Sequence, residues 1–76
     1  MAEILLIDDD RSIHQIVALF LEHAGHEVHS ALNGEAGLKL VSHGCPDLIL
    51  LDLAMPNMDG FEVLRHLKAK IGRAHV

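Results

Sequence analysis

The chain has 76 residues, a mass of 8.3 kDa and a formal net charge of −5, with seven histidines and a single cysteine. This acidic balance does not favour a nucleic-acid-binding surface, and a single cysteine excludes an internal disulfide. No apolar run is long enough to span a membrane and no signal-peptide pattern opens the chain. One small cytoplasmic domain is therefore expected.

The first predicted element is a buried strand that ends at a row of acidic residues. The apolar run Ile4–Ile7 shows no alternation, which is typical of a strand buried on both faces of a parallel sheet. Asp8, Asp9 and Asp10 follow it directly. Because ligands of open α/β sheets bind at the carboxyl ends of strands, this row is one half of a candidate site.

A helix is predicted after the acidic row. Ser12 and Gln15 have the spacing of a capping box, and Gly25 is placed to end the helix. Asp10 is expected to be solvated or to cap the first turn, where its charge meets the helix dipole favourably. Apolar residues recur at helical spacing and form one stripe, which consists of Ile13, Ile16, Val17, Phe20, Leu21 and Ala24.

The middle of the chain predicts a weaker strand and a second helix. Residues Glu27–Ala31 form a short, weakly apolar segment that suits a strand at the edge of a sheet. Asn33 and Gly34 turn the chain into the helix, which ends near Gly44. Gly37 lies inside this helix and should cost up to about 1 kcal/mol relative to alanine.

The third strand carries a second acidic residue at its carboxyl end. The apolar run Leu48–Leu51 ends at Asp52, and a turn follows. Asp59 and Glu62 have the spacing of an N-cap and its capping-box partner, which predicts a third helix from about Gly60. That helix presents Val63, Leu64 and Leu67 as its apolar residues.

The order β-α-β-α-β-α, joined by right-handed crossovers, predicts an α/β fold with a doubly wound parallel sheet in strand order 2-1-3. If the first and third strands are parallel neighbours, Asp8, Asp9 and Asp52 converge at one end of the sheet. Three carboxylates do not all stay ionised in a partly desolvated cleft without help. A hard divalent cation supplies that help, and Mg²⁺ suits an oxygen site that keeps several waters.

Two segments together resemble the receiver domain of two-component response regulators. They are LLIDD at positions 5–9 and LILLDLAMPNMDGFEVL at positions 48–64, and the resemblance runs from about Glu3 to Lys70. It implies a flavodoxin-like fold, here with three βα units. A complete receiver has two more units, whose strands end in a switch Ser or Thr and in a Lys, and these lie outside the 76 residues.

The resemblance also implies the function and the roles of the site residues. Asp52 is the expected phosphoacceptor, which takes a phosphoryl group from a sensor histidine kinase or phosphotransfer protein and becomes 4-aspartylphosphate. Asp9 is the expected direct Mg²⁺ ligand and Asp8 a ligand acting largely through water. Asp52 itself and the backbone carbonyl of Ala54 complete the expected metal set.

The same resemblance describes a signalling domain that takes part in its own phosphotransfer and dephosphorylation, rather than an enzyme with a separate substrate. It is expected to lie at the N-terminus of a longer regulator, ahead of an output domain that the sequence does not identify. This segment is not expected to contact nucleic acid or a membrane.

Two alternative functions are weighed against this one. A phosphatase of the haloacid-dehalogenase type needs a second carboxylate two residues after its nucleophile, where this chain has Ala54. A receiver-like interaction module that works without phosphorylation stays open. The intact set of Asp8, Asp9 and Asp52 argues against that module, but the switch Ser or Thr and the Lys are needed to decide.

Two remaining features are interpreted as incidental. His23, His26 and His29 share no face by their spacing and are expected to be ordinary surface histidines. Residues 71–76 resemble the translation of a sequencing-library adapter, with a natural helix end at Gly72 as the alternative. Residues 1–70 are therefore predicted to be the N-terminal part of a receiver domain, and residues 71–76 a non-native tail.

Overall fold

The computed structural model describes residues 1–52 and 60–71. The elements within them are β1 (Glu3–Ile7), α1 (Arg11–His23), β2 (Glu27–Ala31), α2 (Gly34–His43), β3 (Leu48–Leu51) and α3 (Gly60–Ile71). The strands form one parallel sheet in the order β2-β1-β3. The predicted fold class and strand order are confirmed. In these residues no helix combines the length and apolar character needed to cross a membrane.

The sheet is centred on β1, whose apolar residues are 0–5% exposed. Glu3 pairs with Glu27 at the start of β1 and Ile7 pairs with Ala31 at its end. On the other side, Ile7 pairs with Leu51. Because all three strands run in register, the residues that follow them emerge side by side at one end of the sheet.

One face of the sheet is tightly packed against α2 and α3. Its core consists of Leu5, Ile7, Ala31, Val41, Ile49, Val63 and Leu67. Gly37 of α2 lies directly against Ile7, since a Cβ added at position 37 would stand 2.5 Å from Ile7 Cδ1. The glycine that costs helix propensity therefore permits the close approach of helix and sheet.

The opposite face is covered less completely. Because β1–α1–β2 and β2–α2–β3 progress in opposite directions across the sheet, crossovers of the same hand place α1 and α2 on opposite faces. Along α1, three residues of the predicted stripe are exposed, Ile13 by 37%, Ile16 by 56% and Phe20 by 73%. The predicted apolar stripe is thus only partly in contact with the sheet, whereas the polar His14 is buried.

The N-terminus of α1 differs from the prediction. Asp10 is the N-cap, and its Oδ1 accepts a hydrogen bond from the Ser12 N–H at 2.8 Å. The expected box of Ser12 and Gln15 is wrong, because the helix begins at Arg11 and Ser12 already lies inside it. The alternative role given to Asp10, capping the first turn, is confirmed.

The other predicted helix boundaries agree with the structure where it describes them. Gly25 ends α1 with a φ of +92°, and its N–H donates to the Glu22 carbonyl at 3.0 Å. Asn33 caps α2, with its Oδ1 accepting from the Ala36 N–H at 2.7 Å. The predicted cap Asp59 lies outside the described residues.

Candidate functional site

Three carboxylates meet at the carboxyl end of the sheet. Asp8 and Asp9 follow β1, Asp52 follows β3, and one oxygen of each side chain lies within 4.8 Å of the others. Asp8 and Asp52 are half-buried and Asp9 is exposed. The convergence expected from the sequence is therefore present, whereas the individual roles of the three residues stay predictions.

Backbone hydrogen bonds hold two of these residues in place. The Asp52 N–H donates to the Ile7 carbonyl at 3.0 Å, and the Asp8 N–H donates to the Ala31 carbonyl at 3.1 Å. Both bonds continue the parallel ladders one residue beyond the strands. The two Cα positions are thus fixed by the sheet itself rather than by a separate loop.

Asp8 has further contacts that orient it. Its Oδ1 accepts a hydrogen bond from the Asp10 N–H at 2.9 Å, and its backbone carbonyl lies 2.6 Å from His14 Nε2. A carbonyl only accepts, so Nε2 carries the proton of this bond. His14 is 7% exposed, and its Nδ1 has no hydrogen-bond partner in the described part of the chain.

Sequence reasoning missed His14 as a support for the site. The residue stands next to Ile13 in the apolar stripe, and a histidine at such a place gives no signal of a contact with a carbonyl six positions earlier. Only the path of the chain from β1 into α1 brings the two together.

The set of donor atoms fits Mg²⁺. Carboxylate oxygens are preferred ligands of this cation, and metal–oxygen bonds of about 2.1 Å place neighbouring ligand atoms roughly 3–4 Å apart. Small side-chain rotations would bring oxygens that lie within 4.8 Å of one another to that separation. Ala54, whose carbonyl completes the predicted ligand set, lies outside the described residues.

The histidines singled out from the sequence do not form a site of their own. No grouping of metal-ligating side chains in residues 1–52 and 60–71 contains more than one of His23, His26 and His29. His29 instead lies between Glu3 and Glu27, at the amino end of the sheet. The parallel register of the first two strands, which pairs Glu3 with Glu27, is the signal that could have found this grouping.

Comparison with protein families gives a match over nearly the whole chain. The family model described as the response regulator receiver domain matches residues 4–76. Among curated proteins, the transcriptional regulatory protein AfsQ1 of Streptomyces coelicolor is 47% identical over 68 residues. That alignment covers 90% of this chain and 30% of AfsQ1, so the chain spans less than a third of this relative.

Solved structures agree with this match. The response regulator protein TrrA from Thermotoga maritima, in complex with Mg²⁺-BeF, superposes with a TM-score of 0.89 at 36% identity. The superposition covers 97% of this chain and 64% of TrrA. A second structure, of the histidine kinase ThkA in complex with TrrA, gives the same TM-score, identity and coverage for its TrrA chain.

Proposed function

Because this chain belongs to the response regulator receiver domain family, we propose that Asp52 is its phosphoacceptor and that Asp8 and Asp9 hold Mg²⁺ beside it. The chain is a receiver domain of the phosphorelay type, which fixes the class of reaction but not the residues that perform it. The observation that carries the assignment is the convergence of Asp8, Asp9 and Asp52 within 4.8 Å.

The proposed reaction uses the Asp52 carboxylate as a nucleophile. One oxygen attacks the phosphorus of a phosphohistidine, the phosphorus–nitrogen bond breaks, and the donor imidazole leaves with the electron pair and takes up a proton. The product is an acyl phosphate on Asp52. Mg²⁺ bound by the cluster would neutralise charge on the phosphoryl oxygens, which is the main need of phosphoryl transfer.

The protein's contribution is to position this carboxylate. The bond from the Asp52 N–H to the Ile7 carbonyl fixes the Asp52 backbone at the end of β3. The half-buried side chain is partly shielded from water, and the exposed Asp9 leaves the site open to a partner on the solvent side. A rigid strand end suits a step in which catalysis comes from placement of the reacting atoms.

The two acidic residues after β1 are proposed to divide the metal binding between them. Asp8 already accepts a hydrogen bond from the Asp10 N–H through Oδ1, so part of its capacity as an oxygen donor is used. This supports a role for Asp8 largely through water and leaves Asp9 as the direct ligand. The Ala54 carbonyl is kept as a proposed third protein ligand on the strength of the family resemblance.

A sensor histidine kinase or phosphotransfer protein is the proposed phosphoryl donor, supported by the complex of ThkA with TrrA. An output domain or downstream protein is the proposed recipient of the signal, supported by the relative AfsQ1, a transcriptional regulatory protein. The domain is proposed to catalyse only its own phosphotransfer and dephosphorylation. A cytoplasmic location follows from these proposed partners.

The assignment is tested by labelling the full-length protein that contains this chain with radioactive acetyl phosphate in the presence of Mg²⁺. Asp52→Asn should abolish the label, because an amide is not a competent nucleophile. Asp47→Asn is the matched control, since Asp47 lies just before the amino end of the same strand, where its Oδ2 accepts a hydrogen bond from the Glu3 N–H. Undiminished labelling of Asp52→Asn would contradict the assignment and favour a module that works without phosphate on Asp52.

A further inference from the structure

A second group of metal-ligating side chains lies at the amino end of the sheet. Glu3 and Glu27 are register partners at the starts of β1 and β2, and His29 follows two residues later on the same face. One ligand atom from each of the three lies within 4.8 Å of the others. The group is separated from Asp52 by the length of the strands, so it belongs to a different surface.

The spacing of these atoms does not match a hydrogen-bonded ion pair. His29 Nε2 lies 3.6 Å from Glu3 Oε1 and 3.6 Å from Glu27 Oε1. A hydrogen bond from an imidazole N–H to a carboxylate needs about 2.7–3.2 Å. Four ligands arranged tetrahedrally around Zn²⁺ at about 2.0–2.1 Å stand roughly 3.3–3.4 Å from one another. The imidazole is therefore spaced from both carboxylates much as ligands of one cation are.

A cavity of about 190 Å³ opens beside this group, and it is lined by further potential ligands. Glu3 and His29 form part of its wall, together with His43 and Cys45. His43 Nδ1 lies 2.8 Å from the Lys39 carbonyl, which accepts its proton and leaves the lone pair of the neutral ring on Nε2. Metal-binding histidines are oriented by a bond of this kind.

We propose that Glu3, Glu27 and His29 form a binding site for a divalent transition metal of the Zn²⁺ class, with its open position towards the cavity. Two carboxylates balance the charge of a divalent cation when the imidazole is neutral. The nitrogen ligand favours Zn²⁺ over Mg²⁺, for which the oxygen-only group at the opposite end is suited. The side chains are about half exposed, so the bound cation exchanges with solvent.

The test is a Zn²⁺ titration of the full-length protein that contains this chain. Excess Mg²⁺ is present to occupy the carboxylates of Asp8, Asp9 and Asp52 at the carboxyl end. His29→Ala should lower the affinity of one Zn²⁺ site by about tenfold or more, since even the loss of an outer partner of a ligand costs about that much. Glu27→Gln should weaken the same site, because it removes the charge while keeping a similar shape.

His66→Ala is the matched control, because His66 lies 3.9 Å from one carboxylate, Glu62, and has similar exposure. The Zn²⁺ affinity of His66→Ala should equal that of the unaltered protein. In the unaltered protein, added Zn²⁺ should shift the ring resonances of His29 but not those of His66. Equal Zn²⁺ affinity in His29→Ala and the unaltered protein would overturn the proposal. So would an equal loss in His66→Ala, or a Zn²⁺ site that disappears in Asp9→Ala.

Discussion

The two ends of the sheet place acidic groups on the same strands in two different settings. At the carboxyl end, Asp8, Asp9 and Asp52 follow the strands, and ladder hydrogen bonds fix the backbones of Asp8 and Asp52. At the amino end, Glu3 and Glu27 are paired strand residues, and Glu3 lines a cavity. Parallel register brings two or more carboxylates together at both ends. The carboxyl-end group contains carboxylates alone, whereas the amino-end group also contains the imidazole of His29.

The donor atoms at each end determine which chemistry that end can support. The carboxyl-end group consists of three carboxylates, a donor set that suits a hard cation, and it includes Asp52, the proposed nucleophile. The amino-end group includes an imidazole spaced 3.6 Å from two carboxylates, so it suits a softer cation and contains no placed nucleophile. The same parallel register therefore brings together the residues of both proposed sites, one for phosphoryl transfer and one for a transition metal.

Removing one ligand at each end tests whether the two groups bind different cations. Asp9→Ala should reduce Mg²⁺ affinity by about tenfold or more and leave Zn²⁺ affinity unchanged, because it deletes the proposed direct ligand of Mg²⁺ alone. His29→Ala should have the opposite pattern. Titrations of both cations into both variants provide the measurement, and any variant that loses both affinities equally would show that the two ends are not independent.

A smaller effect is expected from filling the space between α2 and the sheet. Gly37→Ala places a Cβ 2.5 Å from Ile7 Cδ1 and 2.8 Å from Ile7 Cγ1, and Ile7 is fully buried. Overpacking of this kind costs about 1–3 kcal/mol, against a gain in helix propensity of about 1 kcal/mol. The free energy of unfolding should therefore fall by up to about 2 kcal/mol, as measured by urea denaturation.

The control for this prediction is the same change in an Ile7→Val background, which removes Cδ1. There Gly37→Ala should cost less, so the two substitutions should be coupled. Additive costs would mean that the contact between position 37 and Ile7 is not the source of the effect. Since Ile7 precedes Asp8 and accepts from the Asp52 N–H, Gly37→Ala should also disturb the carboxyl end more than the amino end.

The smallest effect is expected at the cap of α1. Asp10→Ala removes the oxygen that accepts from the Ser12 N–H and should lower the free energy of unfolding by about 1 kcal/mol. Asp10→Ser should retain most of the stability, because serine also caps helices. A thermal melt compares the two, and equal losses in both variants would assign the effect to charge rather than to capping.

Sequence reasoning predicted the parts of the fold that depend on local pattern. The runs Ile4–Ile7 and Leu48–Leu51 are apolar without alternation, and each ends at an aspartate, so both strands and the meeting of Asp8 with Asp52 could be foreseen. Gly25 was equally clear, because a glycine after an apolar helical stripe ends the helix by adopting a positive φ.

The features that were missed depend on contacts between distant residues. Ser12 and Gln15 matched the capping-box pattern better than Asp10, although the path of the chain out of β1 decides which residue caps the helix. For Gly37 the sequence predicts only an unfavourable helix propensity, whereas the structure shows that it lies directly against Ile7. His29 lies near Glu3 because β1 and β2 pair in a particular register, and the spacing of histidines along the sequence does not predict that register.

The most direct test of the central claim identifies the residue that carries the phosphoryl group. The full-length protein that contains this chain is treated with acetyl phosphate and Mg²⁺. The acyl phosphate is then reduced with borohydride, which converts the modified aspartate to homoserine. Mass spectrometry of the peptides should find homoserine at position 52 and aspartate at positions 8 and 9. Homoserine at position 8 or 9, or an unmodified Asp52 in a labelled protein, would contradict the account.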